Sequence, residues 1–211
     1  MERLLTLPAA FDRYTSIGGV LDFALFDDSD GSEAEVLTAI EQCLRTALPE
    51  DAPFDREALR QSGSRVIGQA EFLGDHFDAE AGQLLKRGSW TLANGMELED
   101  PLLVDLQGHS ITNGSMGLPN VGSGGQFALA FSEPPYGLQA DPVEVQHLFD
   151  SIRSLILPGH AETEIRDWTS TDLPEVSAYF DAGMEWWGVY LFSLHTPQTR
   201  RLTVIAGSTT D

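Results

Sequence analysis

Apolar positions along the chain follow two rhythms, one of strands and one of helices. The run Val20-Leu21-Asp22-Phe23-Ala24-Leu25-Phe26 reads as a strand that ends in the acidic turn Asp27-Asp28-Ser29-Asp30-Gly31. A helix is predicted next. Ser32 and Glu35 stand at the spacing of a capping box, and Val36, Ile40, Cys43, Leu44 and Ala47 recur on one face until Pro49. The grammar returns later: Phe127 to Phe131 reads as a second strand, and Asp141, Pro142 and Glu144 supply an N-cap, a proline at the first helical position and an acid in the first turn. Val145, Leu148, Phe149, Ile152, Leu155 and Ile156 continue the apolar face, which Pro158-Gly159 closes. Ser32, Glu35 and Pro49 map onto Asp141, Glu144 and Pro158 at a constant offset. The chain therefore reads as one domain, 1–211, with a pseudo-repeat of strand-loop-helix units in 18–106 and 124–208.

Further strands are expected over Ser64–Phe72, Glu162–Thr169, Trp90-Thr91-Leu92 and Leu102–Leu106, with Asn94-Gly95 as a hairpin turn. Trp186–Leu194 and Arg201–Ala206 flank a polar segment and read as a terminal hairpin, while Gly108–Gly125 reads as a structured loop. The fold class that follows is α+β, a mixed or antiparallel sheet with helices packed against one face.

Composition bears this out as a chain able to bury a core: 211 residues of which 42% are hydrophobic. It also sets the sign of any partner. Thirty-three acidic residues against twelve basic ones give a formal charge of −21, which repels nucleic acid, anionic lipid and polyphosphate and attracts basic proteins. The lone Cys43 lies on the apolar side of its helix, as suits a reducing compartment. The segment MERLLTLPAAFDR reads as neither signal peptide nor anchor, and no apolar run approaches the roughly 20 residues that cross a bilayer. A cytoplasmic location is expected; the oligomeric state is left open.

Candidate chemistry is sparse. The glycine-rich segment lacks the GK[ST] ending of a phosphate loop, and the chain's one lysine, Lys86, is remote from it in sequence. The five histidines are scattered, with no paired-ligand spacing. Asp75-His76-Phe77-Asp78 and Asp27-Asp28-Ser29-Asp30 read as solvated turns rather than metal loops. None of Ser110, Ser115 and Ser123 sits in a nucleophile elbow. No catalytic residue, cofactor or metal is therefore expected.

Recognition surface remains. Between Asp27 and Glu57 acids far outnumber Arg45 and Arg56, and Asp27, Asp28, Asp30, Glu33, Glu35 and Glu41 are the expected steering patch for a basic partner. Trp186 and Trp187, adjacent on an expected strand, would point to opposite faces, one into the core and one available as an interface anchor.

The order of these features resembles the immunity proteins of bacterial polymorphic-toxin and type VI secretion systems, the immunity protein 52-like group in particular. The likeness is one of layout. It rests on the early strand and the helix ending at Leu48-Pro49, on Asn94-Gly95, on Phe127 to Phe131 with Pro134-Pro135, and on the helix Val143 to Leu157. It continues through Asp167-Trp168-Thr169-Ser170, Trp187-Gly188-Val189-Tyr190-Leu191, Leu202-Thr203-Val204-Ile205 and Thr209-Thr210-Asp211. The resemblance implies a cytosolic antitoxin that binds a cognate toxin and blocks it without catalysis, commonly against nucleases whose grooves are basic. It assigns no contact residue. The alternatives are an enzyme whose carboxylates converge only in the fold, acting on a small substrate, and a secretion adaptor or chaperone.

Overall fold

The computed structural model describes residues 1–49, 52–117, 124–184 and 187–209. In chain order the first half comprises β1 (Glu2–Arg3), α1 (Ala9–Ser16), β2 (Leu21–Asp27), α2 (Glu33–Leu44), α3 (Arg56–Ser62), β3 (Arg65–Ile67), α4 (Gln69–Leu73), β4 (Phe77–Asp78), β5 (Gln83–Leu84), β6 (Gly88–Leu92) and β7 (Glu97–Glu99). Then come β8 (Ile111–Met116), α5 (Phe127–Ser132), α6 (Pro142–Ile156), β9 (Glu164–Asp167), α7 (Leu173–Val176), β10 (Val189–Thr196) and β11 (Arg201–Ser208). Six strands form the central sheet, in the order β1-β2-β11-β10-β9-β3, and every pairing in it is antiparallel. The protein is an α+β fold.

Both faces of this sheet are covered, not one. Leu21, Leu25, Phe192, Leu194 and Ile205 face α1, α4, α5 and α6, whereas Ala24, Phe26, Leu191, Leu202 and Val204 face α2, α3 and α7. Alternate residues of each strand therefore enter opposite cores, and β10 and β11 are buried almost without a break. Their hairpin joins Thr196 to Arg201 and extends in register to Val189 and Ser208.

The residues Phe127–Phe131 form helix α5, which corrects the strand expected there. The segment Phe127-Ala128-Leu129-Ala130-Phe131 is buried on every side, so no polar face reveals its period, and a short apolar run reads equally as strand or helix. Packing decides it. Phe127 and Phe131, one helical turn apart, meet Phe149 at ring-centroid distances of 5.8 and 5.2 Å, and Phe72 stacks on Phe127 at 4.8 Å. Each such ring is worth about 1.5–3 kcal/mol when fully buried. The two strand-loop-helix units thus differ in their first element.

Other expectations shift locally. The run Ser64–Phe72 is strand only over Arg65–Ile67 and then turns into α4, and Leu102–Leu106 is a 3-10 turn over Leu103–Leu106 that packs on α6. Part of the glycine-rich loop is strand: Ile111–Met116 pairs with β6, while 118–123 lie outside the described residues. Helix α6 begins as its sequence dictates, with the Asp141 carboxylate accepting the Glu144 N–H at 2.9 Å. Helix α2 does not. Ser32 occupies the N-cap without a side-chain cap bond, and Glu35 instead reaches back to accept from the Ser29 hydroxyl at 2.7 Å and the Asp30 N–H at 2.8 Å.

Candidate protein-docking surface

The acidic residues expected to steer a partner sit where β2 runs into α2, and they are drawn into local networks. Asp27 accepts from Arg201 at 2.9 Å across the β2–β11 pair, and Asp28, in the left-handed backbone region, faces Arg200. Asp30 accepts the Ser32 N–H at 2.8 Å; these Ser32 hydrogen bonds hold its carboxyl below the usual range. Glu33 accepts from Arg60 at 2.7 Å. Glu35 holds the turn described above and faces the N-terminal amine at 3.5 Å. Glu41 binds Arg56 at 2.6 Å and Arg45 at 2.9 Å, and the Arg56 hydrogen bond leads in lowering its pKa. The fold therefore gives four of these six carboxylates, Asp27, Asp28, Glu33 and Glu41, arginine partners, and three of those arginines, Arg60, Arg200 and Arg201, come from outside the Asp27–Glu57 stretch that the linear count of charges covers. Asp28 and Glu33 stay open, with side chains 76% and 61% exposed.

The same pattern holds across the molecule. Every lysine and arginine other than Arg3 faces a carboxylate within ion-pair distance, and Arg3 donates to the Gln42 carbonyl at 2.9 Å. Because the chain carries 33 acids and only 12 lysines and arginines, the excess negative charge stands on carboxylates that these cations do not reach. Exposed Glu97 and Glu99 on β7 are two such groups, the second accepting from the Ser89 hydroxyl.

Trp187 precedes β10 rather than lying within it. Its indole N–H donates to the Glu133 carbonyl at 2.9 Å and its ring meets Tyr190 edge-on at 4.9 Å, so it closes the edge of the aromatic core. Trp186 lies outside the described residues.

Sequence reasoning missed the second sheet as a surface. β6, β7 and β8 form a three-stranded antiparallel sheet in the order β7-β6-β8, with Gly95 at φ +83° in the Asn94-Gly95 turn that joins β6 to β7. Residues opposite one another share a face, which puts Ser89, Thr91, Glu97, Glu99, Asn113 and Ser115 together on one side. Trp90, Leu92, Leu98, Gly114 and Met116 lie on the other. All six residues of β8 are exposed, Ile111 and Met116 at 37% and 40%. The sequence Ile111-Thr112-Asn113-Gly114-Ser115-Met116 hides this strand because Asn-Gly in its middle reads as a turn. A shallow cleft of about 540 Å³ lies over this sheet, and another of about 310 Å³ lies where Glu33, Arg60, Arg166 and Trp168 meet.

Further titratable groups are perturbed by burial away from this surface. Burial raises the Asp22 carboxyl although Tyr179 donates to it at 2.7 Å, and burial raises the Cys43 thiol, which keeps it protonated and unreactive. Burial, with the Arg87 guanidinium second, lowers His76 to about 4. Neither ring nitrogen of His76 has a hydrogen-bond partner among the described residues. Among those residues no three His, Cys, Asp or Glu side chains converge as metal ligands, and no helix is long and apolar enough to cross a membrane.

Comparison with family models, with curated proteins and with solved structures gives no match to this chain.

Proposed function

We propose that this chain is a bacterial cytoplasmic immunity protein that binds a basic effector toxin, such as a nuclease, and neutralises it by occluding its substrate groove. The observation that carries the reading is the disposition of charge. Its cations are occupied within the molecule, so the field it offers outward is that of unmatched carboxylates and a formal charge of −21. Such a field raises the association rate of a basic partner by roughly 10 to 10³ at low salt and works against binding to nucleic acid, the substrate a nuclease groove would hold. The layout resemblance to polymorphic-toxin immunity proteins supports the same reading.

The test is coexpression in a sensitive bacterial host with the product of the adjacent open reading frame, scoring survival and copurification. Rescue together with a stable 1:1 complex is expected. Killing that continues at matched expression, with no complex recovered, would overturn the reading.

A further inference from the structure

We propose that the free edge of β8 is a docking strand, to which an extended segment of the basic partner adds as a fourth strand of the β7-β6-β8 sheet. This rests on the reading of the chain as a binder of a basic protein.

Strand β8 ends its sheet: β6 occupies one side, and among the described residues no strand pairs with the other. Native edge strands are ordinarily blunted by lysine, proline or a covering segment. Residues Ile111–Met116 include no charged residue and no proline, and all are exposed on both faces. The polarity of the edge follows from the ladder. Gly117 N–H donates to the Arg87 carbonyl at 3.0 Å, so alternation makes Ser115 and Asn113 the residues bonded to β6 and turns the amides and carbonyls of Gly114 and Met116 outward. The Gly114 N–H is held meanwhile by the neighbouring Asn113 carboxamide at 2.9 Å, a local bond that an incoming carbonyl replaces. Gly114 is itself required, since a Cβ there would stand 2.5 Å from the Ser89 carbonyl and from the Trp90 ring.

Charge selects the occupant. On the polar face Glu97 and Glu99 are the charged groups, and three strand spacings, about 14 Å, separate β7 from an added strand. A lysine or arginine leaning across Asn113 and Ser115 closes most of that gap, within the screening distance of about 8 Å at physiological salt. On the other face Ile111 and Met116 offer apolar contact to the alternate side chains. A basic strand alternating with apolar residues fits both faces. A second copy of this chain would bring another −21 charges to the same edge.

The probe is the ten-residue peptide (Lys-Val)5, with (Glu-Val)5 as control, added to the full chain and followed by amide hydrogen exchange. At saturation the Gly114 and Met116 amides are expected to exchange at least tenfold more slowly, with no such protection from the acidic peptide. Met116→Pro removes an outward donor while sparing the ladder to β6, and is expected to weaken the basic peptide at least tenfold with an unchanged far-UV spectrum; Glu97→Gln with Glu99→Gln reports the charge contribution independently. Binding without protection of Gly114 and Met116 in the unmutated chain, or no binding, overturns the proposal. Rescue from the toxin with β8 unprotected overturns the docking edge alone, whereas β8 protection by the peptide without rescue overturns the toxin reading alone.

Discussion

The His76→Leu substitution should flatten the acid limb of the stability curve. His76 is fully buried, its ring nitrogens have no hydrogen-bond partner among the described residues, and its pKa falls from 6.5 to about 4, through burial first and the Arg87 guanidinium second. The folded protein therefore holds the ring neutral at a pH where the unfolded chain already binds a proton. Stability from this source is complete above about pH 6.5 and drains away as pH falls through the interval down to about 4. At about 1.4 kcal/mol for each unit of pKa difference, the whole interval is worth about 3 kcal/mol, and the part lost between pH 7 and pH 5 is about 2 kcal/mol. Leucine has nearly the volume of histidine and no orphaned donor or acceptor, each of which costs about 1–3 kcal/mol when buried. Urea unfolding followed by tryptophan fluorescence at pH 7, 6 and 5 gives the comparison. The variant should be at least as stable as the parent at pH 7, and its advantage should grow by about 2 kcal/mol by pH 5, because the carboxylates contribute equally to both. Parallel stability curves, separated by the same amount at all three pH values, would refute the claim that a neutral, unpartnered imidazole is buried there.

Three further substitutions test how the elements are held. Asp141→Ala should cost about 1 kcal/mol in urea unfolding, since it removes the cap bond to Glu144, whereas Ser32→Ala should cost a few tenths at most, since Ser32 makes none; equal costs would contradict the observed caps. Gly125→Ala should cost more than about 3 kcal/mol or abolish soluble expression, because φ is +69° and a Cβ would overlap the Glu71 carbonyl while the N–H is tied to Asp167 at 3.0 Å. A normally stable Gly125→Ala protein would contradict this tight turn into α5.

Elements bounded by a clear turn or cap signal were legible from sequence, the buried β10–β11 hairpin among them, whereas a short run enclosed on every side and a strand exposed on both faces were not. β2 and α6 announce themselves through Leu21–Asp27 beside its acidic turn and through the Asp141-Pro142 start, and they lie close to the expected positions. α5 is enclosed by aromatic rings and carries no period to read, while β8 is exposed on both faces and carries almost no apolar signal. Charges follow the same logic. Counting acids between Asp27 and Glu57 locates a cluster but cannot see Arg60, Arg200 and Arg201 arriving from distant parts of the chain to meet Glu33, Asp28 and Asp27. The acids Glu97 and Glu99 lie on β7, in a segment whose sheet the sequence shows only in part, and nothing in the linear pattern distinguishes them.

The central claim is that an outward field of unmatched carboxylates captures a basic toxin. Its most direct measurement is the association rate constant of the purified chain with the toxin that copurifies with it, followed by stopped flow from low to near-physiological salt. The account predicts a rate that falls at least tenfold over that range, with the dissociation rate changing far less. An association rate indifferent to salt would contradict it.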